Sequence, residues 1–562
     1  MKRLPLLSTV LLLISLSSLN ALGQQQTPPP SRVEKTTTAQ EITKPERPPA
    51  EQPPQEKKPK PPEEGPSAEP EAEKPAKPQH FDMTEVPPVQ TRHQITIGGK
   101  TLRYTATAGR LPIKDPSGNI EAQMFFVAYT LDGADAMRRP VTFAFNGGPG
   151  SASLWLHMGV LGPRRVVLQP DGWMPAAPYR LEDNQYTPLE KTDLVLVDAI
   201  GTGFSRPADT TKAKKFWAVR GDIEAFGEFV RMYISRYERW ASPLYLLGES
   251  YGSTRAAGVA GYLADKGISF NGITLLSMVL NFETLIFTKT NDVPYPLVLP
   301  SYTMIAAYHK KLAPELMQDL AKTRAEAERW AMTDYWNALN RGDALTPQER
   351  MAVLNQLARY TGLKPEVVDW ADLRVDVRTF THYLLSDRKL RVGRLDGRYT
   401  GPDPEGFMDT PFHDPTGSSI APPFTSVFNN YVRTELNYKV DMPYYVSARD
   451  LRGFDWNWAE REGRERGLGT MGFPDTASAL RAAMVKNPYL KVQVMQGYYD
   501  LATPYFAANY TMDHLNLPEA YRKNISYATY DSGHMVYLRN ADAAKMKRDF
   551  EGFIDATLGA AK

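Results

Sequence analysis

Apolar and polar positions alternate along several short stretches of this chain, and between them lie longer stretches whose apolar residues recur every three or four positions. From His93 to Ala108 the alternation runs on both sides of Gly98-Gly99, which predicts a hairpin. Met124 to Thr130 and Val141 to Phe145 predict two further strands, the second leading straight into Asn146-Gly147-Gly148-Pro149-Gly150. Asp193 to Asp198 is apolar throughout between its two aspartates, the pattern of a strand buried on both faces. Ile223, Phe226, Val230, Tyr233, Ile234 and Tyr237 then recur at helical spacing. Pro243 to Leu247 predicts a buried strand that ends at Gly248-Glu249-Ser250-Tyr251-Gly252, and Ser253 to Ala264 a helix of small residues. Near the end, Lys491 to Gln496 and Ile525 to Tyr530 repeat the strand pattern, running into Gly497-Tyr498-Tyr499-Asp500 and Ser532-Gly533-His534. A last amphipathic helix carries Met546, Phe550, Phe553, Ile554 and Leu558. Strands that alternate with helices predict an α/β protein with a mostly parallel sheet.

Between residues 283 and 441 the pattern is different. Tyr302 to Leu339 and Pro347 to Ala371 are helical in period, and Thr346-Pro347-Gln348-Glu349 is a start signal with an N-cap, a proline at the first helical position and Glu three residues after the cap. Tyr399 to Phe424, rich in Gly and Pro, predicts an irregular loop. The expected organisation is therefore a first sheet-forming part over 91–282, a large, mainly helical insertion over 283–441, and a second sheet-forming part over 442–562.

Composition changes the picture ahead of residue 91. Fifteen of the 46 prolines fall between Pro28 and Pro78, interleaved with Glu, Lys and Gln, so residues 24–90 are expected to form a disordered linker that buries too little to offset its ordering entropy. Before it, Lys2 and Arg3 precede an apolar run from Leu4 to Leu19, and Ala21-Leu22-Gly23 offers small residues where a signal peptidase cuts. Residues 1–23 thus read as a signal peptide, the mature chain as periplasmic or secreted, and no other segment as membrane-spanning. Lys+Arg 66 against Asp+Glu 64 leaves a net charge of +2 with no long basic run, which argues against nucleic-acid binding. The count of zero cysteines excludes disulfides, a thiolate metal site, a Cys nucleophile and an anchor on an N-terminal Cys.

The nucleophile must then be something else. Gly248 to Gly252 is a GxSxG pentapeptide between a predicted strand and a predicted helix, the setting in which a serine is held in a sharp turn. Ser250 needs a base, and of eight histidines only His309, His382, His413, His514 and His534 follow it. His534 fits best, ending a late strand near the C-terminus; His309 and His382 read as surface or insertion residues, and His514 as a helix residue and the weaker rival. Asp500 likewise ends a strand upstream of His534 and is the candidate orienting acid, whereas the side chain of Asp531 is expected to point elsewhere. Two backbone N–H groups must meet the developing oxyanion. Gly148, in the glycine loop, and Tyr251, after the nucleophile, are placed to supply them.

With these residues the chain resembles the serine carboxypeptidase family in an exported, bacterial form. The resemblance extends from about Thr91 onward and rests on Asn146 to Gly150 with Leu161-Gly162-Pro163 downstream, Asp198 to Ser205, Gly248 to Gly252, Gly497 to Asp500, and Gly533-His534-Met535-Val536. It implies an α/β-hydrolase fold with a helical insertion between nucleophile and acid, a Ser250-Asp500-His534 triad, an oxyanion hole at Gly148 and Tyr251, peptide substrates, and neither cofactor nor metal. It also implies that Asn146 and Glu249 grip the substrate's terminal carboxylate. A third group, an acid in such relatives, is Val160 here. The leading expectation is an exported carboxypeptidase. An esterase or acyltransferase on the same scaffold is the alternative, and a tethered non-catalytic binding module is disfavoured because every catalytic position holds a competent residue.

Overall fold

The computed structural model describes residues 79–403, 413–458 and 472–559, and the signal-peptide reading and most of the linker lie outside them. A ten-stranded sheet runs through the molecule. Its first part is an antiparallel meander of β1 (Val89–Ile97), β2 (Lys100–Lys114) and β3 (Ile120–Leu131), and β1 and β2 form the hairpin expected around Gly98-Gly99. Next to β3, and antiparallel to it, lies β5 (Asp193–Val197). From β5 the sheet continues parallel through β4 (Val141–Phe145), β6 (Leu244–Glu249), β7 (Gly272–Leu276), β8 (Lys491–Gly497) and β9 (Ile525–Tyr530). A two-residue strand, Arg206–Pro207, pairs with β3 off this path.

The inner strands are apolar because both faces are covered. Along β6, Leu244 and Leu246 enter one core, with α1 (Val219–Arg236) and α2 (Tyr251–Ala264). Tyr245 and Leu247 enter the core on the other face, with Met546, Phe550, Phe553 and Ile554 of the C-terminal helix Asn540–Gly559. Val195 and Val197 of β5 divide from Leu194 and Leu196 in the same way, the two-residue period of a strand. A mostly parallel sheet with helices on both faces, in this strand order, is the α/β-hydrolase fold.

Between β7 and β8 the chain is mainly helical and forms a core of its own around Leu299, Tyr302, Tyr335, Leu357, Val368 and Phe380. Thr346 closes the expected capping box with Glu349 at the start of Pro347–Thr361. The helical stretch Tyr302 to Leu339 is made of several helices: Pro294–Tyr308 stops at His309, Lys310 takes a left-handed φ of 58°, and helices restart at Pro314 and Leu320. One expectation needs correction: Tyr399 to Phe424 is not an irregular loop throughout, since Thr400–Pro402 pairs with Leu390–Val392 and a helix occupies Pro415–Thr434. Asp414 caps that helix by accepting from the N–H groups of Thr416 and Gly417, and Pro415 sits where no N–H is needed. Its stripe of Ile420, Phe424, Val427, Phe428, Tyr431 and Val432 is buried, and burial on that scale outweighs Pro422 and Pro423 inside the helix. The part of the range within 404–412 lies outside the described residues.

The linker also ends earlier than residue 90. Phe81 N–H donates to Ala208 O at 3.0 Å and the Gln123 side chain donates to Met83 O and Thr84 O, so the chain is fixed to the sheet from Gln79 onward. Phe81, packed against the core, supplies apolar burial that Pro/Glu/Lys repeats lack. Among the described residues, no helix is long and apolar enough to cross a membrane.

Candidate active site

Ser250 stands between the end of β6 and the start of α2 with φ 61° and ψ −132°, a conformation an L-residue holds only when its surroundings impose it. Its N–H donates to Leu276 O of β7 at 2.9 Å. The turn is tight enough that a Cβ on Gly248 would lie 2.0 Å from Gly252 O. Here glycine is required by contact with backbone. Ser250 is half-buried, leaving the hydroxyl reachable.

Asp500 and His534 follow β8 and β9, parallel neighbours in the sheet. His534 Nδ1 meets Asp500 Oδ2 at 2.8 Å, and both residues are buried. Asp500 Oδ1 accepts from the N–H of Ala502 at 2.7 Å and of Thr503 at 3.0 Å, and its Oδ2 from Thr503 Oγ1 at 2.7 Å. Burial works against charge on His534, but the charge and hydrogen bond of Asp500, with Glu249 behind them, outweigh it and leave the imidazole pKa above its ordinary value. The histidine loop is also clamped from the helical segment. His534 N–H donates to Leu395 O at 2.7 Å and Gly533 N–H to Asp396 Oδ2 at 3.0 Å, while Arg398 pairs with Asp396 at 2.6 Å and donates to Asp531 O at 2.7 Å.

Ser250 and His534 are brought together through β7. Leu276 accepts from Ser250 N–H, and the next residue, Ser277, donates its Oγ to His534 O at 2.6 Å. Among the described residues no hydrogen bond joins Ser250 Oγ to His534, the loose geometry common before substrate binds. The other histidines are engaged elsewhere. His309 and His382 are buried rather than on the surface, the first against Gly397 O at 2.7 Å and the second against Asp403 at 2.9 Å; His514 ends a helix on Tyr510 O at 2.7 Å. Asp531 is exposed, as expected.

The glycine loop after β4 backs onto the serine turn. A Cβ on Gly147 would lie 2.5 Å from Tyr251 N, so the loop carrying Gly148 and the first N–H of α2 share one small space. Tyr251 is the first residue of α2, directly after the nucleophile candidate. A fully buried guanidinium pins this junction: Arg255 of α2 donates to Asn146 O at 2.7 Å and grips Asp222 of α1 through Nε at 2.7 Å and Nη2 at 3.1 Å.

Glu249 and Asn146 are also buried here. Burial pushes the Glu249 carboxyl up to about 7, against the pull of His534 and of hydrogen bonds from Tyr537 and Asn146. Tyr537 donates its hydroxyl to Glu249 Oε2 at 2.8 Å. Its ring lies against the short helical turn His157–Leu161, where a Cβ on Gly159 would sit 2.4 Å from it, and Val160 is buried in that turn. Arg255, Asp222, Thr503, Asp396, Arg398 and Tyr537 escape the sequence analysis. Of these, Arg255, Thr503 and Tyr537 lie three residues after Gly252, Asp500 and His534 of the motifs, and that proximity is their one sequence signal.

The family model for serine carboxypeptidases matches residues 100–328, a span that includes the glycine loop, Asp198 to Ser205 and the serine turn. Over that segment the chain is similar to serine carboxypeptidases. A carboxypeptidase Y homolog of Arthroderma benhamiae is 30% identical over 166 residues, which are 29% of this chain and 30% of that protein, so the match spans under a third of the relative's length. Among solved structures, the prohormone-processing carboxypeptidase Kex1 of Saccharomyces cerevisiae aligns at 16% identity over 81% of this chain and 92% of its own, with a TM-score of 0.49. A proline iminopeptidase of Mycobacterium smegmatis aligns at 15% identity over 81% and 100%, with a TM-score of 0.35. Asp500 and His534 lie outside the family-model match and rest on the geometry above.

Proposed function

We propose that this protein is an exported serine carboxypeptidase, with Ser250, Asp500 and His534 as its triad. The observation that carries the reading is the buried Asp500–His534 pair beside a serine held at positive φ. Ser250 Oγ attacks the scissile carbonyl while His534 Nε2 takes its proton; the N–H groups of Gly148 and Tyr251 stabilise the oxyanion. The C–N bond breaks as His534 returns the proton to the departing amine, leaving an ester on Ser250. Water then adds to that ester, giving its proton to His534, and Ser250 is released with the proton back on its oxygen. Asp500 keeps Nδ1–H pointed at itself and supports the imidazolium in both halves. Asn146 and Glu249 are proposed to hold the terminal carboxylate, which requires the proton that the raised pKa of Glu249 retains below about pH 7.

The charged start, apolar run and small residues before Gly23 support export, and the proline-rich stretch that follows supports a tether. One observation favours a second reading. Val160 supplies no acid and Tyr537 occupies Glu249, an arrangement that an esterase or acyltransferase with no carboxylate to bind would tolerate. A fluorophosphonate probe tests the shared chemistry: the wild-type protein should be labelled and folded Ser250→Ala should not. Equal labelling of the two would refute the nucleophile.

A further inference from the structure

In the proposed reaction the departing amine takes its proton from His534, so the leaving residue lies on the His534 side of Ser250. On that side the backbone that holds His534 also walls a cavity. Leu395, whose carbonyl accepts from His534 N–H at 2.7 Å, lines a cavity of about 590 Å³ bounded by residues 285–287, 376–381, 391–395 and 413–415. Leu285, Ile286, Val377 and Val392 make much of its wall apolar, and Arg378 and Arg394 line it as well.

The wall carries both signs, Arg378, Arg391 and Arg394 with Asp376 and Asp414. Arg378 and Arg394 are exposed, and among the described residues neither guanidinium has a hydrogen bond or an ion pair. The two carboxylates of the lining are already committed to backbone: Asp376 accepts from Thr379 N–H at 2.7 Å, and Asp414 from the N–H groups of Thr416, Gly417, Arg394 and Leu395. Arg391 is held by Asp403 and His382. Arg394 is near enough for its charge to pull the His534 pKa down. A larger cavity, about 790 Å³, lies inside the helical segment around Tyr295, Leu339 and Trp370; neither cavity is lined by a triad residue, and the smaller one is tied to the site through the Leu395 carbonyl that accepts from His534 N–H.

We infer that the cavity beside Leu395 receives a carboxylate of the leaving residue, held by Arg394 and Arg378. The inference rests on the carboxypeptidase reading and deepens it. It supplies cations for an anionic group where Val160 has removed an acid from the Asn146–Glu249 end, and guanidinium forks suit planar carboxylates. With the main-chain carboxylate assigned to Asn146 and Glu249, the carboxylate received here is that of an acidic side chain.

The test compares wild type, Arg394→Gln, Arg394→Lys and Arg378→Gln, all as full chains, on peptides that share one acyl half and end in Glu or Leu, each as free acid and as amide. Rates are taken on the alkaline plateau, where His534 is neutral and the lost Arg394 charge no longer matters to it. Losing a charge-assisted bond should lower kcat/KM roughly tenfold or more. Arg394→Gln should lower both Glu peptides and spare both Leu peptides, with Arg394→Lys recovering part of the rate. A loss on both free acids that spares the amides would place the main-chain carboxylate at Arg394 and overturn the inference. An equal loss on all four peptides, or none, overturns it. Should wild type shorten no peptide, the carboxypeptidase reading fails separately. Occupancy is then read by protection of Ser250 from the fluorophosphonate with free glutamate: protection that Arg394→Gln weakens retains the carboxylate site, and absence of protection, or protection unchanged in the variant, rejects it.

Discussion

Asp500 and Glu249 are both buried carboxyls within reach of His534, 0% and 2% exposed, and they are held in opposite ways. Asp500 has two backbone N–H groups, the Thr503 hydroxyl and the His534 ring around its oxygens, all from its own turn or the neighbouring loop. Glu249 has the Tyr537 hydroxyl and Asn146, and burial dominates, so its proton is retained to about pH 7. The difference shows what each carboxyl is suited to do. One is locked to orient an imidazole. The other can donate or accept according to pH, which fits a group that meets a substrate carboxylate.

The largest effect that would break this comparison lies on the Asp500 side. Asp500→Asn should keep the fold and lower kcat by about 10⁴, because the imidazole loses the partner that fixes its tautomer. Steady-state kinetics on an activated ester measures it, and a loss under tenfold would show that Asp500 is only structural. Next comes the support of the glycine loop. Arg255→Met leaves Asp222 buried without its cation and should cost about 3–5 kcal/mol in a denaturant titration, with Asp222→Asn in the same chain recovering part. An unchanged midpoint would remove Arg255 from the account.

The smallest effect is on the Glu249 side, where Tyr537→Phe removes a bond that favours the ionised carboxyl. The Glu249 pKa then rises further above about 7, so its protonated form persists to higher pH. In the wild type, KM for free-acid peptides should increase as pH climbs through about 7; in Tyr537→Phe that increase moves to higher pH. The limb in kcat set by His534, which must lose its proton to act as a base, runs the other way; with Glu249 neutral over a wider range it loses a charge that raises the His534 pKa, so any movement of that limb is to lower pH. A KM profile that does not move would argue that Glu249 meets no substrate carboxylate.

Most strands were legible because parallel strands covered on both faces must be apolar throughout, and β4, β5, β6 and β8 fall where that pattern lies, while β9, at the sheet edge, is largely exposed. The serine turn and the strand-end positions of Asp500 and His534 were legible for the same reason, since the sheet places strand ends side by side. Pro415 to Phe424, the first half of a helix, reads as loop because proline and glycine counts mask an apolar stripe whose value appears only once it packs. The site's supports were not legible at all. Arg255 meets Asp222 across two helices, and Asp396 meets Gly533 across 137 residues of chain, contacts that leave no local pattern. Val160 alone read as a missing acid; the structure buries it in the short helical turn against which the Tyr537 ring lies.

The central claim is that Ser250 carries a C-terminal peptide bond cleavage. The most direct measurement is mass spectrometry of one free-acid peptide incubated with wild type and with folded Ser250→Ala. The account predicts a product shorter by the C-terminal residue with wild type and none with the variant; equal product from both, or cleavage at internal bonds only, would contradict it.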